Sequence, residues 1–193
     1  SDELYSMFRI KYNLNLLKNY SSFGEIKLNN SNKDFIYFGR LEKTKGVDLL
    51  VEYWSKNMNG KKLHLVGDGL LYKKFKSLNN PNIIVYGSLP QNKIKKIIKE
   101  NCRFYISFSK REGLSLSLLE SLSCGLIPIV VNIPTQKFIK NIYGFELVDK
   151  SFSNLNELFS KYNKDSFNLI SKGIVDNFTK YSNESDFYLF WTR

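Results

Sequence analysis

The chain contains little histidine and little cysteine, and these two shortages exclude several kinds of chemistry. Among 193 residues there are one histidine and two cysteines. Cys102 and Cys124 have no second pair, whereas a disulfide framework or a zinc ribbon needs more cysteines. His64 lies within an apolar run, so neither a histidine-based triad nor a histidine metal site is expected. This cysteine content favours a reducing compartment, the cytoplasm.

Long hydrophobic runs and acidic residues are also scarce. No apolar run approaches the roughly 18–20 residues that a membrane-spanning helix needs, and no signal-peptide pattern is found at the start. Lys and Arg number 29 against 18 for Asp and Glu, which gives a formal net charge of +11. Such an excess of positive charge indicates an anionic partner: a phosphorylated ligand, nucleic acid or an acidic membrane. The alternative is that the lysines simply form a solvated surface without a specific partner.

Apolar residues make up 42% of the chain, which is enough for a core, and their spacing alternates between two patterns. Short β-rich runs predict strands at 34–38, 62–66, 82–86, 104–108, 127–131 and 145–148. Segments with helical spacing lie between them at 46–56, 70–78, 92–99 and 115–124. Alternation of this kind is typical of βαβ units, which form a parallel sheet with helices on both faces. The sequence therefore predicts an α/β fold with a Rossmann-like, doubly wound sheet.

The chain divides into three segments. Residues 1–33 contain one predicted helix, SDELYSMFRIKYNL, and a polar linker. Residues 34–150 hold the alternating strands and helices. Residues 151–193 contain three predicted helices, of which the last is strongly aromatic. These helices are expected to pack on the α/β unit or on a domain that is missing from this sequence.

Each of the first four predicted strands is followed by a loop that carries glycine. In chain order the loops read GRLEKTKG, GDG, GSLP and SKREGLS. Ligands of an open parallel sheet bind at the carboxyl ends of its strands, where glycine lets a ligand approach the backbone. Because the first loop also carries Arg40 and Lys45, the four loops favour a phosphorylated ligand. The chain has neither a P-loop nor a GxGxxG fingerprint.

Two glutamates, Glu112 and Glu120, lie eight positions apart around a predicted helix start. Four residues there are expected to offer amides to an anion: Gly113, Leu114, Ser115 and Leu116. Glu120 can accept hydrogen bonds from ribose hydroxyls, although Ser117 and Glu120 also match a capping box. Glu112 belongs either to the same ligand site or to the surface, paired with Lys110 or Arg111.

Four segments, taken in order, resemble the C-terminal half of a GT-B glycosyltransferase of the GT4, or glycosyl transferases group 1, family. They are FIYFGRLEKTKGVDLL, LHLVGDGLLYKKFKSL, NIIVYGSLP and REGLSLSLLESLSCGLIPIVV. The family's E-x7-E signature corresponds to Glu112 and Glu120, and its Cys-Gly-x-Pro turn corresponds to residues 124–128 with one extra residue. The resemblance covers about residues 34–150. The family's Gly-Gly-x-x-E stretch is replaced here by NIPTQKFI.

The resemblance implies a role for each loop. Arg40 and Lys45 would hold the diphosphate of a nucleotide-sugar donor and help the nucleotide leave, and Glu112 would face the donor sugar. Glu120 would bind the ribose, and the backbone of Leu89 would contact the base. The implied catalytic residues are Glu112, Arg40 and Lys45. The implied donor-binding residues are Gly39, Leu89, Gly113, Leu114, Ser115, Leu116 and Glu120.

The resemblance also implies a reaction. A hexose would pass, with retention at its anomeric carbon, from a GDP- or UDP-sugar to a glycan or lipid-linked acceptor in envelope polysaccharide or lipopolysaccharide assembly. The nucleotide-sugar is a co-substrate, so no cofactor is expected, and the lack of a DxD motif fits a reaction without a bound metal. The N-terminal domain that brings the acceptor is missing, so the isolated chain is expected to be nearly inactive. A cytoplasmic enzyme with peripheral contact at the inner face of the membrane fits a lipid-linked acceptor.

Two other functions remain open. Some sugar-nucleotide epimerases share this architecture and a similar acidic pair, but the GRL-x3-KG loop favours a transferase. The net charge permits a nucleic-acid-binding module, yet the lysines are scattered and match no known motif, so no nucleic acid is expected. The basic segment QNKIKKIIKE is compatible with contact to an anionic membrane, although its isoleucines are expected to pack on the sheet.

Overall fold

The computed structural model describes residues 23–29, 31–58, 60–113, 115–155, 157–158, 162 and 164–182. The strands are β1 (Asp34–Phe38), β2 (Leu63–Val66), β3 (Ile83–Gly87), β4 (Cys102–Ser107), β5 (Ile127–Val131) and β6 (Leu147–Val148). They form one parallel sheet in the order β3-β2-β1-β4-β5-β6. The predicted Rossmann-like, doubly wound α/β sheet is confirmed.

A helix follows each strand of this sheet. They are α1 (Val47–Asn57), α2 (Tyr72–Lys76), α3 (Gln91–Asn101), α4 (Leu116–Ser123), α5 (Pro134–Tyr143) and α6 (Lys164–Ser182), with a single 3₁₀ turn at Lys43–Lys45. The chain starts in the middle of the sheet, moves outward to β3 and returns to the other side of β1 at β4. The strand order thus reverses between β1 and β4, and ligands of open α/β sheets bind in the crevice at the carboxyl ends of the strands at such a reversal.

The strands are apolar because the inner ones are covered on both faces. All residues of β2, β4 and β5 are buried, as strands of a two-sided parallel sheet should be. The rings of Phe35 and Phe104 stack between β1 and β4 with centroids 4.6 Å apart. Trp54 of α1 packs edge-on against Phe35, and its indole N–H donates to the carbonyl of Lys61 at 2.9 Å. The core therefore fixes the strands from which the site loops emerge.

Two helices differ from the sequence prediction. Helix α5 was not predicted; Pro134 occupies its first turn, and Gly144 ends it in the left-handed region, with an N–H that bonds the carbonyl of Lys140 at 2.8 Å. Helix α2 was predicted over 70–78 but covers only five residues. Its predicted first turn is instead a loop in which Leu71 donates to the carbonyl of Leu41 and Leu70 remains 91% exposed.

The C-terminal helix α6 packs on α4 and α5. Phe178 stacks on Tyr143 with ring centroids 5.8 Å apart, and a methyl of Val175 lies against Gly125. Arg103 of β4 donates to the hydroxyl of Ser171 at 3.2 Å. The helix predicted within 165–178 is therefore present and longer. The helices predicted at 1–14 and 183–193 lie outside the described residues, as does part of 151–162, and the division at 33 and 150 stays a prediction.

A buried polar cluster joins the first three strands. His64 Nε2 lies 3.0 Å from Asp34 Oδ2, and His64 Nδ1 lies 2.8 Å from the hydroxyl of Tyr86. Burial lowers the pKa of His64 despite the neighbouring carboxylate. The neutral ring satisfies both partners, because it donates to Asp34 and accepts from Tyr86. His64 thus lies in an apolar strand, as expected, and is hydrogen-bonded within it.

Within the described ranges, no helix combines the length and the apolar character that crossing a bilayer requires.

Candidate functional site

A cleft of about 700 Å³ lies at the carboxyl edge of the sheet, where the loops after β1, β2, β3 and β4 meet. Eight of the ten predicted site residues line it: Gly39, Arg40, Lys45, Leu89, Glu112, Ser115, Leu116 and Glu120. Gly113 belongs to the loop between β4 and α4 but does not line the cleft. Leu114 lies outside the described residues. The structure thus brings together side chains that are up to 80 positions apart in the chain, from Arg40 to Glu120.

Two glycines bring the cleft loops into backbone contact. A Cβ added at Gly67 would overlap the carbonyl oxygen of Gly39, because the loops after β1 and β2 touch there. Their backbones also bond directly, since Leu41 donates to the carbonyl of Asp68 at 2.8 Å. A Cβ added at Gly46 would overlap the carbonyl of Phe108, so the turn that carries Lys45 rests on the loop after β4.

Lys45 and Glu112 form an ion pair at one end of the cleft. The Nζ of Lys45 lies 2.9 Å from Oε1 and 2.8 Å from Oε2 of Glu112. Only 11% of the Glu112 side chain is exposed. The alternative that Glu112 is a surface acid paired with Lys110 or Arg111 is therefore wrong. The pair joins the loops after β1 and β4, which are the two that flank the crevice.

Arg40 projects from the same first loop into solvent over the cleft. Its side chain is 67% exposed, and its guanidinium lies 3.2 Å from Oε2 of Glu42. The hydroxyl of Tyr37 donates to the carbonyl of Arg40 at 2.8 Å, which fixes the backbone at this position. Exposed ion pairs contribute little stability, so the guanidinium can exchange Glu42 for another anion at small cost. Both predicted cations are thus held by carboxylates of the chain itself.

Glu120, on α4, lines the same cleft in a different environment. Its carboxylate is half-buried, and among the described residues it has neither a hydrogen bond nor an ion pair. Burial raises the pKa of Glu120 to about 7. The capping-box alternative is wrong, because the helix is capped by Ser115, whose Oγ accepts from the N–H of Leu118 at 3.4 Å. An unpaired carboxylate with a raised pKa in a cleft is typical of a ligand site.

Three hydroxyl-bearing residues that were not predicted from the sequence also line the cleft. The hydroxyls of Tyr105 and Ser117 lie 2.9 Å apart, and Ser107 lines the cleft beside them. Burial raises the pKa of Tyr105 to about 12, so this phenol stays neutral. The available signal was the run FYISF, in which polar Tyr105 and Ser107 alternate with apolar residues. Within the described part of the chain, no group of three or more His, Cys, Asp or Glu side chains could hold a metal ion.

The sequence matches one family model and no curated protein. Residues 21–182 match the model described as Glycosyl transferases group 1. No match to a curated protein was found.

Solved structures with the same fold include the following three. A complex of a Staphylococcus aureus TarM variant with fondaparinux, α-GlcNAc-glycerol and UDP is 20% identical, with a TM-score of 0.67 over 86% of this chain and 36% of that chain. The C-terminal domain of LpcC from Francisella tularensis, described as a glycosyl transferase group 1 family protein, is 19% identical, with a TM-score of 0.63. The match covers 85% of this chain and 98% of that chain. WaaG, a glycosyltransferase involved in lipopolysaccharide biosynthesis, is 18% identical, with a TM-score of 0.60 over 86% of this chain and 46% of that chain.

At these identities the likeness shows the fold alone. The chain spans little more than a third of TarM and nearly the whole of the LpcC domain. The GT-B-type fold expected from the sequence is therefore confirmed.

Proposed function

We propose, since this chain belongs to the glycosyl transferases group 1 family, that it is the donor-binding C-terminal domain of a retaining glycosyltransferase of the GT4 type. The enzyme transfers a hexose from a GDP- or UDP-sugar to a glycan or lipid-linked acceptor. The nucleotide-sugar is a co-substrate, and the reaction uses no bound metal.

The observation that carries this proposal is the arrangement of charges in one cleft. Arg40 and Lys45, in the loop after β1, line the cleft together with Glu120, whose carboxylate has no partner among the described residues. Cations suit a diphosphate, and a carboxylate suits the two neighbouring hydroxyls of a ribose. Leu89 lines the cleft beyond them, at the end of β3. From β3 to β4 the sheet spans roughly 14 Å, which accommodates an extended nucleotide-sugar.

The proposed chemistry depends on where negative charge develops. The bond between the anomeric carbon and the diphosphate oxygen breaks, and its electron pair stays on the diphosphate. The oxygen of the acceptor hydroxyl bonds to the anomeric carbon on the same face of the sugar, and its proton passes to the departing diphosphate. Arg40, Lys45 and the backbone amides at the start of α4 stabilise the departing diphosphate, because they are in place before the charge appears. Glu112 faces the sugar and shares Lys45 with the diphosphate.

The proposed setting is the assembly of envelope polysaccharide or lipopolysaccharide. WaaG is named for lipopolysaccharide biosynthesis, and the TarM complex contains UDP, which supports a nucleoside diphosphate as the ligand class. The net charge of +11 fits an anionic donor and contact with the inner face of the membrane in the cytoplasm. An N-terminal domain outside this chain brings the acceptor, so the isolated chain has little activity.

The test is an equilibrium titration of UDP and GDP against site variants and matched surface variants. Arg40→Ala and Glu120→Ala are each expected to weaken diphosphate binding about tenfold or more, because each removes a charged hydrogen-bond partner. Lys56→Ala and Glu52→Ala change an exposed ion pair on α1 and are the controls; they should keep the wild-type affinity within twofold. Unchanged affinity in both site variants would sink the proposal.

A further inference from the structure

Glu112 is held by its main chain as well as by its carboxylate. The hydroxyl of Thr135, at the start of α5, donates to the carbonyl of Glu112 at 3.0 Å. Thr135 is 8% exposed, so this bond is sheltered from water. It is the only hydrogen bond to the Glu112 main chain within the described residues. The bond joins the loop after β4 to the helix that follows β5.

The rest of this loop is fixed by its own serines. The N–H of Ser109 donates to the hydroxyl of Ser107 at 3.4 Å, and the hydroxyl of Ser109 donates to the carbonyl of Arg111 at 3.1 Å. These bonds fix the loop as far as Arg111. At Glu112 itself, two contacts set the orientation: Thr135 on the carbonyl and Lys45 on the carboxylate.

The two contacts behave differently when a diphosphate enters the cleft. Lys45 is a cation that a diphosphate attracts, so its bond to Glu112 weakens at that moment. The hydroxyl of Thr135 is neutral and points to a carbonyl, so a diphosphate does not compete for it. We propose that Thr135 is a positioning residue, which keeps Glu112 against the donor sugar once the diphosphate engages Lys45. This inference rests on the proposed function.

The local sequence explains why a threonine can do this. Pro134 starts α5, and Thr135 follows in its first turn. A β-branched side chain has a restricted χ1 angle, so its hydroxyl is held toward the carbonyl with little loss of entropy. The family's Gly-Gly-x-x-E stretch is replaced here by NIPTQKFI, and α5 presents a neutral hydroxyl to the Glu112 loop.

The experiment compares Thr135→Val, which keeps the shape but removes the hydroxyl, with Thr135→Ser, which keeps the hydroxyl. Both are made in the full-length protein that contains this chain. UDP-glucose and GDP-mannose are the donor probes, and release of UDP or GDP is followed. The affinity for free UDP and GDP is measured separately. Thr179→Val on α6, which does not line the cleft, is the matched control.

Thr135→Val is expected to lower kcat about tenfold or more, with diphosphate affinity and donor KM within twofold of wild type. Thr135→Ser should restore kcat to within about threefold. Wild-type kcat in Thr135→Val overturns the inference, and so does an equal loss in Thr135→Ser, which would indicate packing. If the wild-type protein neither binds a diphosphate nor releases one from either donor, the proposed function fails instead, and the inference fails with it.

Discussion

Glu112 and Glu120 show that two identical side chains eight positions apart can have opposite environments. Glu112 shares both carboxylate oxygens with Lys45, whereas Glu120 is half-buried without a partner in the described structure. Ionising Glu120 therefore costs free energy, because burial removes part of the water that would solvate its charge. A site that is destabilising until its ligand arrives is a common feature of functional clefts.

This cost predicts that the difference in folding stability between the wild type and Glu120→Gln depends on pH. Burial raises the pKa of Glu120 to about 7 from an unfolded value of 4.5, so the folded state binds more protons between these values. The wild type therefore loses stability as the pH rises from 4.5 to above 7. At pH 8 the glutamine variant is expected to be more stable by about 1 kcal/mol, after discounting for solvent screening. Thermal melting without ligand should show a rise of about 2–4 °C.

The stabilities of the wild type and Glu120→Gln should be compared with each other at pH 5 and at pH 8. His64 also makes stability depend on pH, in the opposite direction. Burial lowers the pKa of His64, so its contribution to stability is lost as the pH falls below about 6.5. That effect is present in both proteins and cancels in their difference. A Glu120→Gln variant that is no more stable than wild type at pH 8 contradicts the unpaired, half-buried carboxylate.

The sequence predicted which residues meet in the cleft better than it predicted their partners. Strand-end position predicted that the loop with Arg40 and Lys45 meets the loop after β4 at one edge, because parallel strands end together, and the family resemblance added Glu120. The partner of Glu112 was missed, since Lys110 and Arg111 are its neighbours in the chain whereas Lys45 is 67 positions away. Such a contact follows from loop packing, which a local pattern does not encode.

At the scale of elements, the cleft depends on loops that touch through glycine. Gly46 has a φ of 64° and rests on the carbonyl of Phe108, and the neighbouring Lys45 thereby reaches Glu112. The position requires glycine for two independent reasons, the left-handed backbone and the missing Cβ.

Gly46→Ala and Gly60→Ala separate these two reasons. Gly60 also has a positive φ, 76°, but nothing lies within 4 Å of an added Cβ. Gly60→Ala is expected to cost only the left-handed conformation, about 1–2 kcal/mol. Gly46→Ala should cost about 2 kcal/mol more, because the new Cβ forces the loop off Phe108. Denaturant unfolding measures both costs, and equal costs would show that the loops do not need this contact.

Strands were easier to predict than helix ends. The observed bounds of β1 and β5 equal the predicted ones, because buried parallel strands are continuous apolar runs. The alternative that Ser117 and Glu120 form a capping box is wrong because Ser115 caps α4; serines at alternate positions give equivalent local patterns. Helix α5 was not predicted, although Pro134 in its first turn is a local signal for a helix start.

At the scale of the whole molecule, the chain is a family member that covers part of its larger relatives. The family model matches residues 21–182, and the sheet places every described part of the candidate site at one edge. Fold and family follow from the residues quoted in the sequence. The base and sugar of the donor and the identity of the acceptor cannot be predicted from these residues, because they depend on contacts that no local sequence pattern specifies.

The central claim is that this cleft binds a nucleoside diphosphate, and thermal melting tests it most directly. The chain is melted with UDP, GDP, ADP and CMP, each at millimolar concentration, and the panel is repeated on the full-length protein. A ligand at about 100 times its dissociation constant stabilises the folded state by about 2.7 kcal/mol, which corresponds to several degrees. The account predicts such a rise with one diphosphate and not with the others. No rise with any nucleotide, in the chain or in the full-length protein, would contradict it.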